Sequence, residues 1–393
     1  MKDSLYLAWR YLRHHEVKTL LLVLSLTVFL ALPLVMRSMS RAMQQSFLAR
    51  AEGTPLLLGQ KGSSLDLVIE ALYFQRKDVE PVKKADVDAI QSTGLGMAIP
   101  LRTGLRTQGF PLVGTSLAYF DLRKLRIEKG RGLALIGECI LGSEVAEVLE
   151  LGPGDALLTS PSTLFDLAGV YPLKLDVVGV LEPTQGPDDA AVFVDLKTAW
   201  VAEGLGHGHE DLARADADLV LRRQGDTVTA NAKLVQYNEI TESNRESFHF
   251  HGDAASYPVS AVIVVPHDEK SATLLRGRFV DAPTLQIVRP AQVVDSLNAQ
   301  IFRFERVLQI VVWTVGLATA VMFVLVMALS WKLRAEELRT MTRLGSSRWK
   351  ALQIMTSEVA LMVGASALLA GLVGVLMARY GEPWVQTLIL RSS

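Results

Sequence analysis

Five of the seven histidines fall between residues 207 and 267: His207, His209, His249, His251 and His267. His207-Gly208-His209 and His249-Phe250-His251 form two His-x-His pairs, with Glu210, Asp211 and Asp253 beside them. Imidazole and carboxylate groups are ligands for zinc or copper, so the four paired histidines would hold such an ion if the chain brought them together. The pairs stand about 40 residues apart in polar surroundings that read as exposed excursions, where histidines are ordinarily just solvated. Other chemistry is excluded by motif. No G-x-x-x-x-G-K-[ST] loop occurs, and Gly59-Gln60-Lys61-Gly62-Ser63-Ser64 has its composition in the wrong order. Without that loop there is no cradle of backbone N–H groups for nucleotide phosphates. No G-x-S-x-G is present, and His209-Glu210 lacks the second histidine of a zinc-protease helix. The single cysteine, Cys139, rules out an intramolecular disulfide and a multi-cysteine metal knot. The chain is not expected to be an enzyme on its own.

The elements that would position these groups follow from composition. The 393 residues carry 40 Lys+Arg against 41 Asp+Glu, a net charge of −1, which removes the electrostatic case for nucleic acid. Only 21% is charged, half is hydrophobic, and mean hydropathy is +0.27. The apolar excess sits in three uncharged runs, 19–36, 307–331 and 359–378. A bilayer core of about 30 Å needs roughly 20 helical residues, so all three read as membrane spans. Lys2, Arg10 and Arg13 give the first run the basic front of a signal peptide. It continues, however, into Arg37-Ser38-Met39-Ser40-Arg41 rather than a small-x-small cleavage site, so it reads as an anchor. Lys332, Arg334, Arg339, Arg343, Arg348 and Lys350 crowd the loop 332–358 and place it in the cytoplasm with the amphipathic segment 1–18. Residues 37–303 and the tail 379–393 are then outside.

The outer segment has ordinary soluble character, α+β, with two subdomains expected. Residues 175–181, 190–194 and 261–265 read as strands bounded by Pro and Gly, and 143–149 as a helix capped by Ser143. Residues 290–304 form an amphipathic helix feeding the second span, while 204–211 and 242–257 read as exposed excursions. In the third span Gly364, Ala367 and Gly371 lie near one face, and Ala370-x-x-x-Gly374 is a pair small enough for close helix approach.

Two stretches carry a family likeness. One runs Gly130-Arg131, Ile140-Leu141-Gly142-Ser143-Glu144, Leu151-Gly152-Pro153-Gly154-Asp155, Val177-Val178-Gly179-Val180-Leu181, Gly186-Pro187-Asp188 and Val192-Phe193-Val194-Asp195. The other is the inner loop Glu337-Leu338-Arg339-Thr340-Met341-Thr342-Arg343-Leu344-Gly345-Ser346-Ser347-Arg348. In that order, with span, large outer domain, span, loop and span, the chain resembles MacB/FtsX-like ABC-transporter permeases. The resemblance implies a membrane α-helical protein with an extracytoplasmic domain of the MacB periplasmic core type. It implies a multi-pass subunit of the inner membrane with its large domain in the periplasm, working as a homo- or heterodimer. Two copies of a separate ATPase would hold the ATP and Mg, with none bound by this chain, and a periplasmic or outer-membrane partner would complete the system. Glu337, Arg339, Arg343, Leu344, Gly345, Ser346 and Arg348 would form the surface that docks on the ATPase. Cargo would be a lipoprotein, peptide, glycolipid or drug. Two alternatives stay open: a mechanotransmission subunit moving no substrate, and a zinc- or copper-binding sensory membrane protein using His207, His209, His249 and His251. The family's fourth span is expected to be absent, since residues 388–390 are too few to cross.

Overall fold

The computed structural model describes residues 2–391 except 76, 78, 161–171, 210–219, 225–226, 231–235, 238, 251 and 344–346. It divides into two units, Met1–Ser46 with Leu297–Ser393, and Phe47–Ser296.

The first unit is helical. Its stretches Glu16–Ser38, Gln309–Leu333 and Trp349–Met377 are long and apolar enough to cross a membrane. They belong to helices Glu16–Glu52, Pro290–Leu333 and Arg348–Arg391. An intact helix satisfies its own backbone polar groups, which lipid cannot do, so leucines such as Leu20, Leu24, Leu325 and Leu372 are left exposed without cost. Contact between the spans is narrow: Leu22, Met327 and Met362 meet, joined by Leu12 from the amphipathic helix Lys2–His14. That helix buries Ser4, Ala8 and Leu12 at four-residue spacing and exposes Leu5, Tyr6 and Trp9, as a helix lying in a membrane interface does. A Cβ on Gly316 would come 1.8 Å from the Phe29 ring, so a larger residue there requires that ring to move.

Among the described residues the largest sheet of the outer unit has ten strands, beside one of three strands and two of two. In chain order its strands are β1 (Leu56–Gln60), β2 (Gly96–Thr107), β3 (Phe110–Thr115), β4 (Ile127–Gly130) and β5 (Glu138–Leu141). β6 (Ala156–Leu158), β7 (Lys174–Leu181), β8 (Val192–Asp195), β9 (Ala261–Pro266) and β10 (Leu285–Val288) follow. The spatial order is β10-β1-β9-β2-β3-β8-β5-β7-β4, with β6 also on β7. The parallel pair β3–β8, with Leu112 opposite Val192 and Gly114 opposite Val194, joins the two halves. The two-residue side-chain period sorts the core. Leu57 and Phe193 enter one layer with Leu67, Leu72 and Tyr119, while Leu56, Leu58, Val192 and Val194 face the other side.

Local chemistry explains two departures from the sequence pattern. Helix Ser143–Leu149 starts where expected, but its N-cap is Gly142, not Ser143. A Cβ at Gly142 would lie 2.3 Å from the carbonyl oxygens of Asp188 and Asp189, so only glycine lets that loop approach. Residues 204–211 and 242–257 are not simply exposed. Strand Gly206–His209 pairs with His249–Phe250 and with Gln236–Tyr237, and Trp200 stacks edgewise on Tyr257 and Phe250 at 5.1 and 6.5 Å.

Candidate coupling site

The inner loop contains a short helix, Ala335–Arg343, between the second and third spanning helices. Glu336, Arg339, Thr340 and Arg343 are exposed on it, and Arg339 and Arg343 share one face by their four-residue spacing. Glu337 is part of the same helix, and Arg348 is the first residue of the next. Ser347 begins that next helix: its hydroxyl accepts the Trp349 N–H at 3.2 Å and its carbonyl the Lys350 N–H at 2.9 Å. Leu344, Gly345 and Ser346 lie outside the described residues. Glu336 and Glu337 balance Arg339 and Arg343, so the helix carries no net charge.

The small residues of the third span divide between two faces. Ala370 is buried, and a Cβ on Gly374 would lie 3.4 Å from Leu34. Gly364 and Ala367 are exposed, and space is open around Gly364 and Gly371. The buried stripe is Glu358, Met362, Ser366 and Ala370, one residue every four. Within it the Ser366 hydroxyl donates to the Val23 carbonyl at 3.1 Å, or to Met362 at 2.8 Å, tying the first and third spans.

The histidine pairs are brought together in part. His207 stands directly opposite His249 in the strand register, with ring centroids 5.1 Å apart, and the His249 Nδ1 lies 2.9 Å from the Ser247 carbonyl. His209 continues the strand, and His251 lies outside the described residues. Among the described residues no group of three or more metal-ligating side chains converges.

The outer unit also holds a charged joint that composition did not single out. Arg50, in the last turn of Glu16–Glu52, grips Asp188 with both terminal nitrogens, at 2.6 and 3.0 Å. The Tyr119 hydroxyl donates to the same carboxylate at 2.7 Å, and the Arg50 Nε donates to the Leu72 carbonyl. The two ionic side chains are only 8% and 4% exposed. Burial alone would raise the Asp188 pKa, but the Arg50 charge, its hydrogen bonds and the Tyr119 hydroxyl hold it below the usual carboxylate range. Burial likewise pushes the Tyr119 phenol up, and pushes Tyr73 up to about 12. The joint clamps a helix end to the β7–β8 connection; signals for it were a cation in a last helical turn and an acid after Gly186-Pro187.

Comparison with known proteins adds the following. The family model for the MacB-like periplasmic core domain matches residues 19–247. Among solved structures, the periplasmic region of MacB from Actinobacillus actinomycetemcomitans is similar at 11% identity, over 64% of this chain and 98% of its own, with a TM-score of 0.35. The extracellular domain of the noncanonic ABC-type transporter YknZ from Gram-positive bacteria is similar at 13% identity, over 59% of this chain and 98% of its own, with a TM-score of 0.32. No curated protein matches the sequence.

Proposed function

The chain belongs to the MacB/FtsX-like ABC-transporter permeases, and from that premise we propose that it couples ATP hydrolysis by a separate ATPase chain to movement of its periplasmic domain. Two ATPase copies would dock on the inner loops of a permease dimer in the inner membrane, with ATP and Mg held by the ATPase. The cargo class is a lipophilic or peptide substrate, exported or extracted at the periplasmic face without passing through a pore.

The observation that carries this reading is the helix Ala335–Arg343, with exposed Arg339 and Arg343 on one face, set between two spans in a chain with no phosphate-binding loop of its own. Movement imposed there has long helices to travel along, one of them with Pro33 inside it. Pro290–Leu333 has 44 residues and Glu16–Glu52 has 37, or about 66 and 55 Å at 1.5 Å per residue, each longer than a bilayer core.

The test is a detergent pull-down of the tagged full chain from its native membrane, assayed for co-purifying ATP hydrolysis. Stoichiometric ATPase is expected with the wild type, and Arg339→Glu/Arg343→Glu should lose it while the chain stays membrane-inserted. A wild-type chain that purifies without any ATP-hydrolysing partner would refute the reading.

A further inference from the structure

Glu358 is fully buried one residue before the uncharged run 359–378, where an ionised group is costly and usually functional. Its Oε1 accepts from Arg334 Nη1 at 2.6 Å, and its Oε2 is buried without a hydrogen-bond partner among the described residues. The Arg334 guanidinium lies over the Tyr11 ring, 3.5 Å from its centre. The Tyr11 hydroxyl is 3.3 Å from Ser330 Oγ, which accepts from Lys18 Nζ at 2.7 Å. Two elements therefore meet on the guanidinium that follows the second spanning helix, the amphipathic helix through Tyr11 and the third span through Glu358, while Ser330 of the second spanning helix reaches the Tyr11 hydroxyl.

This arrangement is a poor stabiliser. A buried pair with one carboxylate oxygen unmatched forfeits much of its attraction to desolvation, and an apolar pair of equal size would pack here more cheaply. What the ion pair supplies is geometry. A planar guanidinium held on a ring and on a carboxylate has one good position, whereas apolar side chains slide past one another. Arg334 is also the residue immediately before helix Ala335–Arg343, so any displacement of that helix acts on it first.

We propose that Arg334, Glu358 and Tyr11 form a latch that makes the inner helix, the amphipathic helix and the second and third spans move as one. They are positioning residues, and the proposal rests on the reading of Ala335–Arg343 as the ATPase-docking element.

The test uses the full chain in nanodiscs with a nitroxide on Thr340→Cys, an exposed site on the inner helix. Cys139 stays unlabelled, because it is buried and burial pushes its thiol up, away from the reactive thiolate. Glu358→Gln and Arg334→Gln are expected to raise the mobile fraction of the label at least twofold. Tyr11→Leu, which leaves the buried charges in place and serves where the charge variants do not insert, should do the same, and Tyr11→Phe should not. An unchanged spectrum in both Glu358→Gln and Tyr11→Leu overturns the latch. With the ATPase bound, Glu358→Gln should keep the partner at wild-type stoichiometry while the ATP-dependent change in hydrogen exchange of the outer unit falls at least fivefold. A full response there overturns the coupling. Failure of the wild type to hold any ATPase overturns the docking reading instead, and the coupling with it, while the label spectrum still decides the contact.

Discussion

Replacing Asp188 by alanine should strip the Arg50 guanidinium of its counter-charge in a place where water cannot take over. The side chains are 8% and 4% exposed, so screening is slight, and removing one partner of such a pair costs about 3–5 kcal/mol. For a unit of this size each kcal/mol moves the midpoint by about 2–4 °C, so a fall of about 10 °C is expected. The assay is thermal unfolding of the full chain in detergent, read by Trp200 with the other five tryptophans changed to phenylalanine. Trp200 is the one tryptophan between residues 47 and 296, is buried, and donates its Nε1–H to the Pro258 carbonyl at 2.8 Å. A second variant separates the cost of a broken pair from the worth of an intact one. Arg50→Met/Asp188→Leu/Tyr119→Phe removes both charges and the phenol that would otherwise lose its acceptor. It should sit within about 1 kcal/mol of wild type, because desolvation and attraction largely cancel in a buried pair. Loss of less than about 1 kcal/mol in Asp188→Ala would refute the burial argument. A triple variant as unstable as the single one would refute the cancellation.

The same carboxylate sets a pH limb. Its folded pKa is lowered, so its contribution is fully present above the ordinary carboxylate range and is lost as pH falls below that range through the lowered folded value. Glu138 shifts in the same direction: against its burial, Arg131 and the N–H groups of Ala134 and Leu135 hold it down. The unfolding temperature of the outer unit should drop below about pH 4, and Asp188→Asn should flatten that drop; an unchanged slope in the variant would contradict the assignment. Gly142→Ala would place a methyl 2.3 Å from the Asp188 and Asp189 carbonyls, a backbone that Arg50 prevents from retreating. A loss of at least about 2 kcal/mol is expected in the same assay, and a neutral variant would show that the loop can yield.

What the sequence reveals depends on whether the deciding interaction is local. The three spans are local, uncharged runs against a charged background, and each run falls in a helix long and apolar enough to cross a membrane. Strands β7 and β9 are local too, short β-branched runs closed by proline. Register is not local. That His207 faces His249 follows from a pairing of segments about 40 residues apart, and each segment alone resembles a polar loop. Arg50 and Asp188 are 138 residues apart, and only the closed sheet brings the helix end to the loop. Glu358 was partly legible. Counted with the loop cations it looks like one more solvated charge, yet the spacing Glu358, Met362, Ser366, Ala370 places it on a single helical face. Choosing Gly364 and Ala367 by size picks out small residues without saying which face they occupy.

The Arg50–Asp188 and Arg334–Glu358 pairs each stand at an end of a long helix, Arg50 in the last turn of Glu16–Glu52 and Arg334 directly after Pro290–Leu333. Stability alone does not account for either, since apolar residues of similar volume would serve as well or better. A requirement for definite geometry does account for them. Hydrophobic contact is non-directional and tolerates sliding, whereas a guanidinium hydrogen-bonded to a carboxylate and set against an aromatic ring adds geometric specificity. Under the proposed function, movement passed along helices of about 55 to 66 Å would be lost as slip at the helix ends if those ends were merely greasy. Stability and transmission should therefore separate in the apolar replacements: the Arg50→Met/Asp188→Leu/Tyr119→Phe chain should unfold near the wild-type temperature yet respond less to ATP in its outer unit. A variant that kept both would leave these pairs without a mechanical role.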